Sequence, residues 1–139
     1  MFFSTLTAAA VNHWRPNPLR WNWAPPVSAF AEINSLEDLD LALASPRTVL
    51  VDARDELFYR VAHIPGASSL PLNEAAQKLP FLIDGLPAGA KIIVYCSDPF
   101  CRMAEELAAM MAKRGLSPAV FKPGFQMWES EGRPAESAL

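Results

Sequence analysis

The sequence predicts an α/β domain with a mostly parallel, five-stranded sheet and helices on both faces. Three observations lead there. From Phe30 onward, short apolar runs alternate with stretches of helical periodicity, the pattern of strand–helix–strand units joined by right-handed crossovers. Two of those runs, Thr48–Val51 and Lys91–Tyr95, are almost continuously apolar, as strands covered on both faces are. A length of 139 residues has room for one domain with a real core and not comfortably for two.

The elements follow in order. Phe30–Ile33 reads as a short extended piece, after which Asn34 or Ser35 caps a helix through Ala44 with Leu36, Leu39, Leu41 and Leu43 as its apolar positions. Thr48–Val51 is a strand ending at Asp52, and Glu56–Val61 a short helix broken by Ile64-Pro65-Gly66-Ala67. Ser68–Leu70 suits another short strand. Asn73 to about Leu82 suits a helix interrupted near Pro80. Lys91–Tyr95 is the second buried strand. The helix from about Arg102 to Arg114 turns Ala104, Leu107, Ala108 and Met111 inward and stops at Gly115. Ala119–Phe121 is the last strand, followed by a short segment carrying Phe125 and Trp128.

Composition narrows the function. With 51% hydrophobic and 19% charged residues the chain is globular, and a net charge of −3 offers no basic face for nucleic acid. Two cysteines and two histidines build neither a disulfide framework nor a histidine-rich metal site. No glycine-rich phosphate loop or internal repeat occurs, and neither a metal nor a cofactor is expected.

Residues 1–29 form a separate extension. They hold Trp14, Trp21 and Trp23, four prolines, and no acidic residue. The apolar run Met1–Val11 is shorter than the roughly 20 residues of a spanning helix and lacks the positive start of a signal peptide. Tryptophan and arginine after it are what a membrane-interface flank over residues 1–24 would carry; a tail packing its tryptophans on the domain is the other reading. Cytoplasm is the default location, with a membrane-tethered or periplasmic one if further sequence precedes Met1.

In parallel sheets, ligands gather beyond the carboxyl ends of the strands, and both Asp52 and Cys96 stand at such ends. Cys96-Ser97-Asp98-Pro99-Phe100-Cys101 leads straight into a helix at Arg102. Loop amides curled round a sulfur, with the positive end of a helix dipole, favour thiolate over thiol and so suit nucleophilic attack or persulfide storage. A small apolar residue ending a strand is the plainer alternative.

Val49-Leu50-Val51-Asp52-Ala53-Arg54, Glu56, Tyr59, His63-Ile64-Pro65-Gly66-Ala67 and Leu70-Pro71 closely resemble the first half of the rhodanese (sulfurtransferase) family. Ile93-Val94-Tyr95-Cys96, Gly115, Gly124, Trp128, Gly132 and Pro134 resemble its second half in order and spacing. The resemblance covers residues 30–136, leaving 137–139 as a tail. It implies a rhodanese-like doubly wound domain in which Cys96 takes sulfane sulfur from thiosulfate or a persulfide and passes it to a thiol or cyanide. It also implies that Ser97, Asp98, Pro99, Phe100, Cys101 and Arg102 form the substrate-binding loop, its amides cradling an anion. Asp52, Arg54 and His63 are supporting residues: Asp52 and Arg54 are expected to bond to each other's neighbours, and His63 to hold a turn.

Some positions depart from the family pattern. Ser97 and Pro99 stand where a basic residue and a glycine are usual, Pro99 removes an amide, and Asp98 adds negative charge beside the sulfur. Ala62 replaces the usual glycine before the histidine, which leaves its φ open. Other functions stay open too. Cys101 is either a resolving thiol, making a Cys96/Cys101 redox protein, or a buried first-turn helix residue; in a reducing compartment both cysteines would rest as thiols. Cys96 and Arg102 have the spacing of cysteine-dependent phosphatases and arsenate reductases, with Tyr95 where phosphatases carry His. A catalytically silent interaction module is the remaining possibility.

Overall fold

The computed structural model describes residues 30–139; the extension read in residues 1–29 lies outside them. Five strands, β1 (Ala31–Ile33), β2 (Thr48–Asp52), β3 (Ser68–Ser69), β4 (Lys91–Tyr95) and β5 (Ala119–Phe121), pair in the order β1-β5-β4-β2-β3. Every pairing is parallel, so the sheet expected to be mostly parallel is wholly so. β4 lies at its centre, between β2 and β5.

Five helices complete the domain: α1 (Leu36–Leu43), α2 (Glu56–Val61), α3 (Ala75–Asp84), α4 (Met103–Lys113) and α5 (Gly124–Ser130). The alternation of the central strands divides the core. Val51, Ile92 and Val94 pack on one face with Leu79, Leu107 and Met111. Leu50, Ile93 and Tyr95 pack on the other with Leu39, Phe125 and Trp128. Side chains of successive strand residues point to opposite faces, so a strand buried on both sides must be apolar throughout.

Ser35 is the cap of α1, its hydroxyl accepting from the Asp38 amide at 3.1 Å. Leu41, expected on the apolar face, is instead 77% exposed; the helical repeat carries it away from the side on which Leu36 and Leu39 are buried. Leu72–Glu74 forms a 3₁₀ turn before α3, and α3 runs unbroken through Pro80. The interruption expected at Pro80 does not occur. The carbonyl that loses its partner belongs to exposed Ala76, where water can replace the missing amide. At the end of α4, Gly115 takes φ +82°, and the Leu116 amide bonds back to Met111, closing the helix as a glycine stop does. Among the described residues, no helix is long and apolar enough to cross a membrane.

Candidate functional site

Cys96 directly follows β4 at the centre of the sheet. It is only 2% exposed and belongs to the packed cluster that includes Val51, Val94, Ala104 and Leu107. Its backbone is held from the side by α5. The amide of Phe125 donates to the Cys96 carbonyl and that of Gln126 to the Ser97 carbonyl, both at 2.8 Å. Gly124 permits this approach. It has φ +69°, and a Cβ on it would stand 2.7 Å from the Cys96 carbonyl oxygen and 2.8 Å from the Asp98 nitrogen. Glycine alone fits both demands.

The loop is organised by Asp98. Its carboxylate accepts from the amides of Phe100 at 2.8 Å and Cys101 at 3.1 Å, and its carbonyl accepts a further bond from the Cys101 amide. The anion cradle expected from the loop amides of Ser97 to Cys101 is therefore largely withdrawn. Pro99 has no amide, and those of Phe100 and Cys101 already serve a negative charge within the chain. Pro99 and Phe100 are exposed, while Ser97 and Asp98 are half-buried.

The same turn sets Cys101 against Cys96. Their Cα atoms are 6.1 Å apart and a disulfide joins them, within the span such bonds bridge. One expectation is corrected here: Cys101 is not a first-turn helix residue, because α4 begins at Met103. The pairing of the two cysteines is the arrangement that the Cys96/Cys101 redox reading requires. Cys101 is half-buried, whereas Cys96 is buried. Arg102 is exposed and stands at the N-terminal boundary of α4.

Beneath the loop lies a buried polar network. Asp52 and Arg54, 0% and 4% exposed, bond directly to each other rather than to each other's neighbours. Arg54 Nε and Nη2 donate to the Asp52 carboxylate, with Nη2 at 2.7 Å. Nη2 also reaches the Ala62 carbonyl. The Tyr95 hydroxyl donates to Asp52 Oδ2 at 2.6 Å and accepts from the Ile64 amide at 3.2 Å. Arg54 also lies over the Phe125 ring, 4.2 Å from its centre, tying the ion pair to the helix that holds the cysteine loop. Burial acts against the Arg54 charge, but the bonds and charge of Asp52 outweigh it and hold its pKa above the ordinary value. Burial, reinforced by the Asp52 charge, pushes the Tyr95 phenol up.

His63 is placed structurally. Its ring stacks on Tyr59 at 3.9 Å, Nδ1 lies 2.8 Å from the Tyr59 carbonyl, and its backbone bridges to Glu136. Ala62 is extended at φ −161° and unstrained. Among the described residues no cluster of His, Cys, Asp or Glu is arranged to hold a metal.

A groove of about 500 Å³ opens beside the loop. Arg54, Ser97, Asp98 and Phe125 line it together with an apolar wall from α2, of which Leu57 and Phe58 are more than half exposed. Neither cysteine lines the groove. Sequence reasoning gave no role to three contributors: Gly124 as the platform of the loop, Tyr95 as the bridge to Asp52, and the α2 wall. Gly124 and Tyr95 stood among the family-like residues, and the adjacent apolar pair Leu57-Phe58 was the signal for the wall.

The comparisons with known proteins agree with this architecture. The Rhodanese-like domain model matches residues 35–131. The chain is 30% identical over 87 residues to the HTH-type transcriptional regulator Rv0324 of Mycobacterium tuberculosis, a match covering 63% of this chain and 37% of that relative's length. It thus spans little more than a third of that protein. Among solved structures, the BH2092 protein from Bacillus halodurans superposes with a TM-score of 0.65 at 28% identity, covering 81% of this chain and 79% of that one. A rhodanese-related protein from Thermoplasma volcanium gives 0.63 at 20% identity, covering 77% and 98%, which speaks to the fold. With the cysteine loop at the end of the central strand and a family match over most of its length, this chain belongs to the rhodanese-like domain family.

Proposed function

We propose that this domain carries sulfane sulfur on Cys96, taking it from an organic persulfide and passing it to a thiol acceptor, with cyanide as the acceptor in an assay. The observation that carries this reading is the position of Cys96. Its backbone is clamped by Phe125 and Gln126 at the carboxyl end of the central strand, where parallel sheets do their chemistry. The thiolate, once freed from the disulfide, attacks the outer sulfur of the donor and releases the donor's thiolate.

The loop argues against thiosulfate as the preferred donor. A dianion meets the Asp98 carboxylate, and the amides of Phe100 and Cys101 are already engaged by it. An organic persulfide lacks that second charge, and the apolar wall from α2 offers its carbon skeleton a surface. The same loop counts against an oxyanion-binding phosphatase or arsenate reductase, because Arg102 is exposed.

The test is direct. The Cys101→Ser chain, which keeps Cys96 as its one thiol, is incubated separately with thiosulfate and with glutathione persulfide, and intact mass and cyanide-labile sulfur are measured. Loading by the persulfide, abolished in Cys96→Ser, is expected; retention of the label by Cys96→Ser sinks the proposal. A dithiol–disulfide cycle without sulfur transfer is a second reading, favoured by the bond between Cys96 and Cys101. It predicts reversible oxidation of the pair with no sulfur uptake in any variant.

A further inference from the structure

We infer that Cys101 resolves the Cys96 persulfide, so that the domain releases sulfur as sulfide and ends each turn as the Cys96–Cys101 disulfide. This rests on the proposed loading of Cys96 and adds a second step. Three features of the loop carry it.

First, the two sulfurs are within bonding reach in the folded chain, with Cα atoms 6.1 Å apart. A thiol held at that distance attacks at an effective concentration far above that of a free thiol in solution. Second, the approach is built in. The Asp98 carboxylate binds the Cys101 amide while α5 binds the Cys96 carbonyl, so both backbones are fixed by separate anchors. Third, the two sulfurs differ in access. Cys96 is 2% exposed, whereas Cys101 is half-buried. Cys101, already beside Cys96 within the fold, meets a sulfur there ahead of any external acceptor, which must reach a nearly inaccessible residue.

The step balances without an external oxidant. The Cys101 thiolate attacks the Cys96 sulfur of Cys96–S–SH, the sulfur–sulfur bond of the persulfide breaks, and hydrosulfide leaves with the electron pair. One disulfide forms, and the two electrons that reduce the departing sulfur come from the two cysteine thiols. Regeneration requires a low-molecular-weight thiol, two equivalents of which return the pair to the dithiol and leave as their own disulfide. The more exposed Cys101 sulfur is where that thiol attacks.

The chemical consequence is a change of product. A domain with Cys96 alone hands over a sulfur atom at the oxidation level at which it arrived. With Cys101 in place, the sulfur leaves reduced, and the cost is borne by the thiol that reopens the disulfide. The domain then acts as a thiol-dependent reductase of persulfides.

The reduced 139-residue chain, Cys101→Ser and Cys101→Ala are each freed of thiol and treated with glutathione persulfide; sulfide release and intact mass are then read, with folding of each variant checked by thermal unfolding. Expected is one sulfide released per wild-type chain above the variants' background, leaving a protein two hydrogens lighter than the dithiol. Both Cys101 variants should instead retain one cyanide-labile sulfur and release none. A wild-type chain that keeps its extra sulfur as the variants do overturns this inference and leaves the loading of Cys96 standing. If neither folded variant takes up sulfur, the proposed loading itself fails, and this step with it.

Discussion

The carboxylate of Asp98 accepts the amide of Cys101 at 3.1 Å. One residue thereby helps to hold the second sulfur against the first and puts a negative charge in the loop. Under the proposed function, donor preference and cysteine pairing share that single cause.

That relationship gives the first prediction. Asp98→Ala removes a negative charge from the loop that leads out of Cys96 and frees the Phe100 amide, a change worth roughly 1–2 kcal/mol at a half-buried position. In a Cys101→Ser background, where Cys96 keeps the sulfur it takes up, loading from thiosulfate should rise about tenfold, measured as cyanide-labile sulfur at fixed donor concentration. Unchanged loading would show that something other than Asp98 excludes the anion.

Gly124→Ala tests the platform of the loop. The new Cβ would lie 2.7 Å from the Cys96 carbonyl oxygen and 2.8 Å from the Asp98 nitrogen, both backbone atoms, at a φ of +69°. Left-handed backbone and clash together should cost about 2–4 kcal/mol, read by denaturant unfolding. Sulfur loading should fall in the fraction that remains folded, because the clamp on Cys96 is displaced.

Arg54→Met leaves the fully buried Asp52 carboxylate without its guanidinium and should destabilise the domain by about 3–5 kcal/mol. The double variant Asp52→Asn/Arg54→Met should lose less than the sum of the two single changes, since no unpaired charge then remains. Strict additivity in unfolding measurements would contradict the pairing.

Tyr95→Phe removes the hydroxyl between Asp52 and the Ile64 amide. Burial, then the Asp52 charge, raises the phenol pKa in the folded chain, so folding favours the protonated form. The stability it contributes is complete below the unfolded value of about 10 and is lost as pH rises above it. The variant should be less stable by about 1–3 kcal/mol near neutral pH. Its stability should also fall less steeply above about pH 10, a difference that thermal unfolding across pH 8–11 would reveal.

Much of the domain was legible in the chain because its information is local. Ile92 to Tyr95 read as a doubly covered strand, and the faces divide as alternation requires. Ala104, Leu107, Ala108 and Met111 form the buried stripe of α4 that their spacing predicts. Leu41 and Pro80 were misread for an equally local reason: residue type suggested burial or a break, and the surroundings of each side chain decided otherwise.

The sequence by itself determined the parallel α/β frame and the place of Cys96 at the end of a strand covered on both faces, since periodicity and apolar runs along the chain encode both; that this strand is the central one came from the structure. Only the tertiary structure decided what surrounds that sulfur. It turned Asp98 onto the amides of Phe100 and Cys101, joined Cys101 to Cys96, brought Gly124 beneath the loop and closed Asp52 onto Arg54 and Tyr95. Each of these depends on the direction of a side chain or on the approach of distant backbone. Such contacts are set when helices dock on the sheet, and no repeat of apolar residues records them.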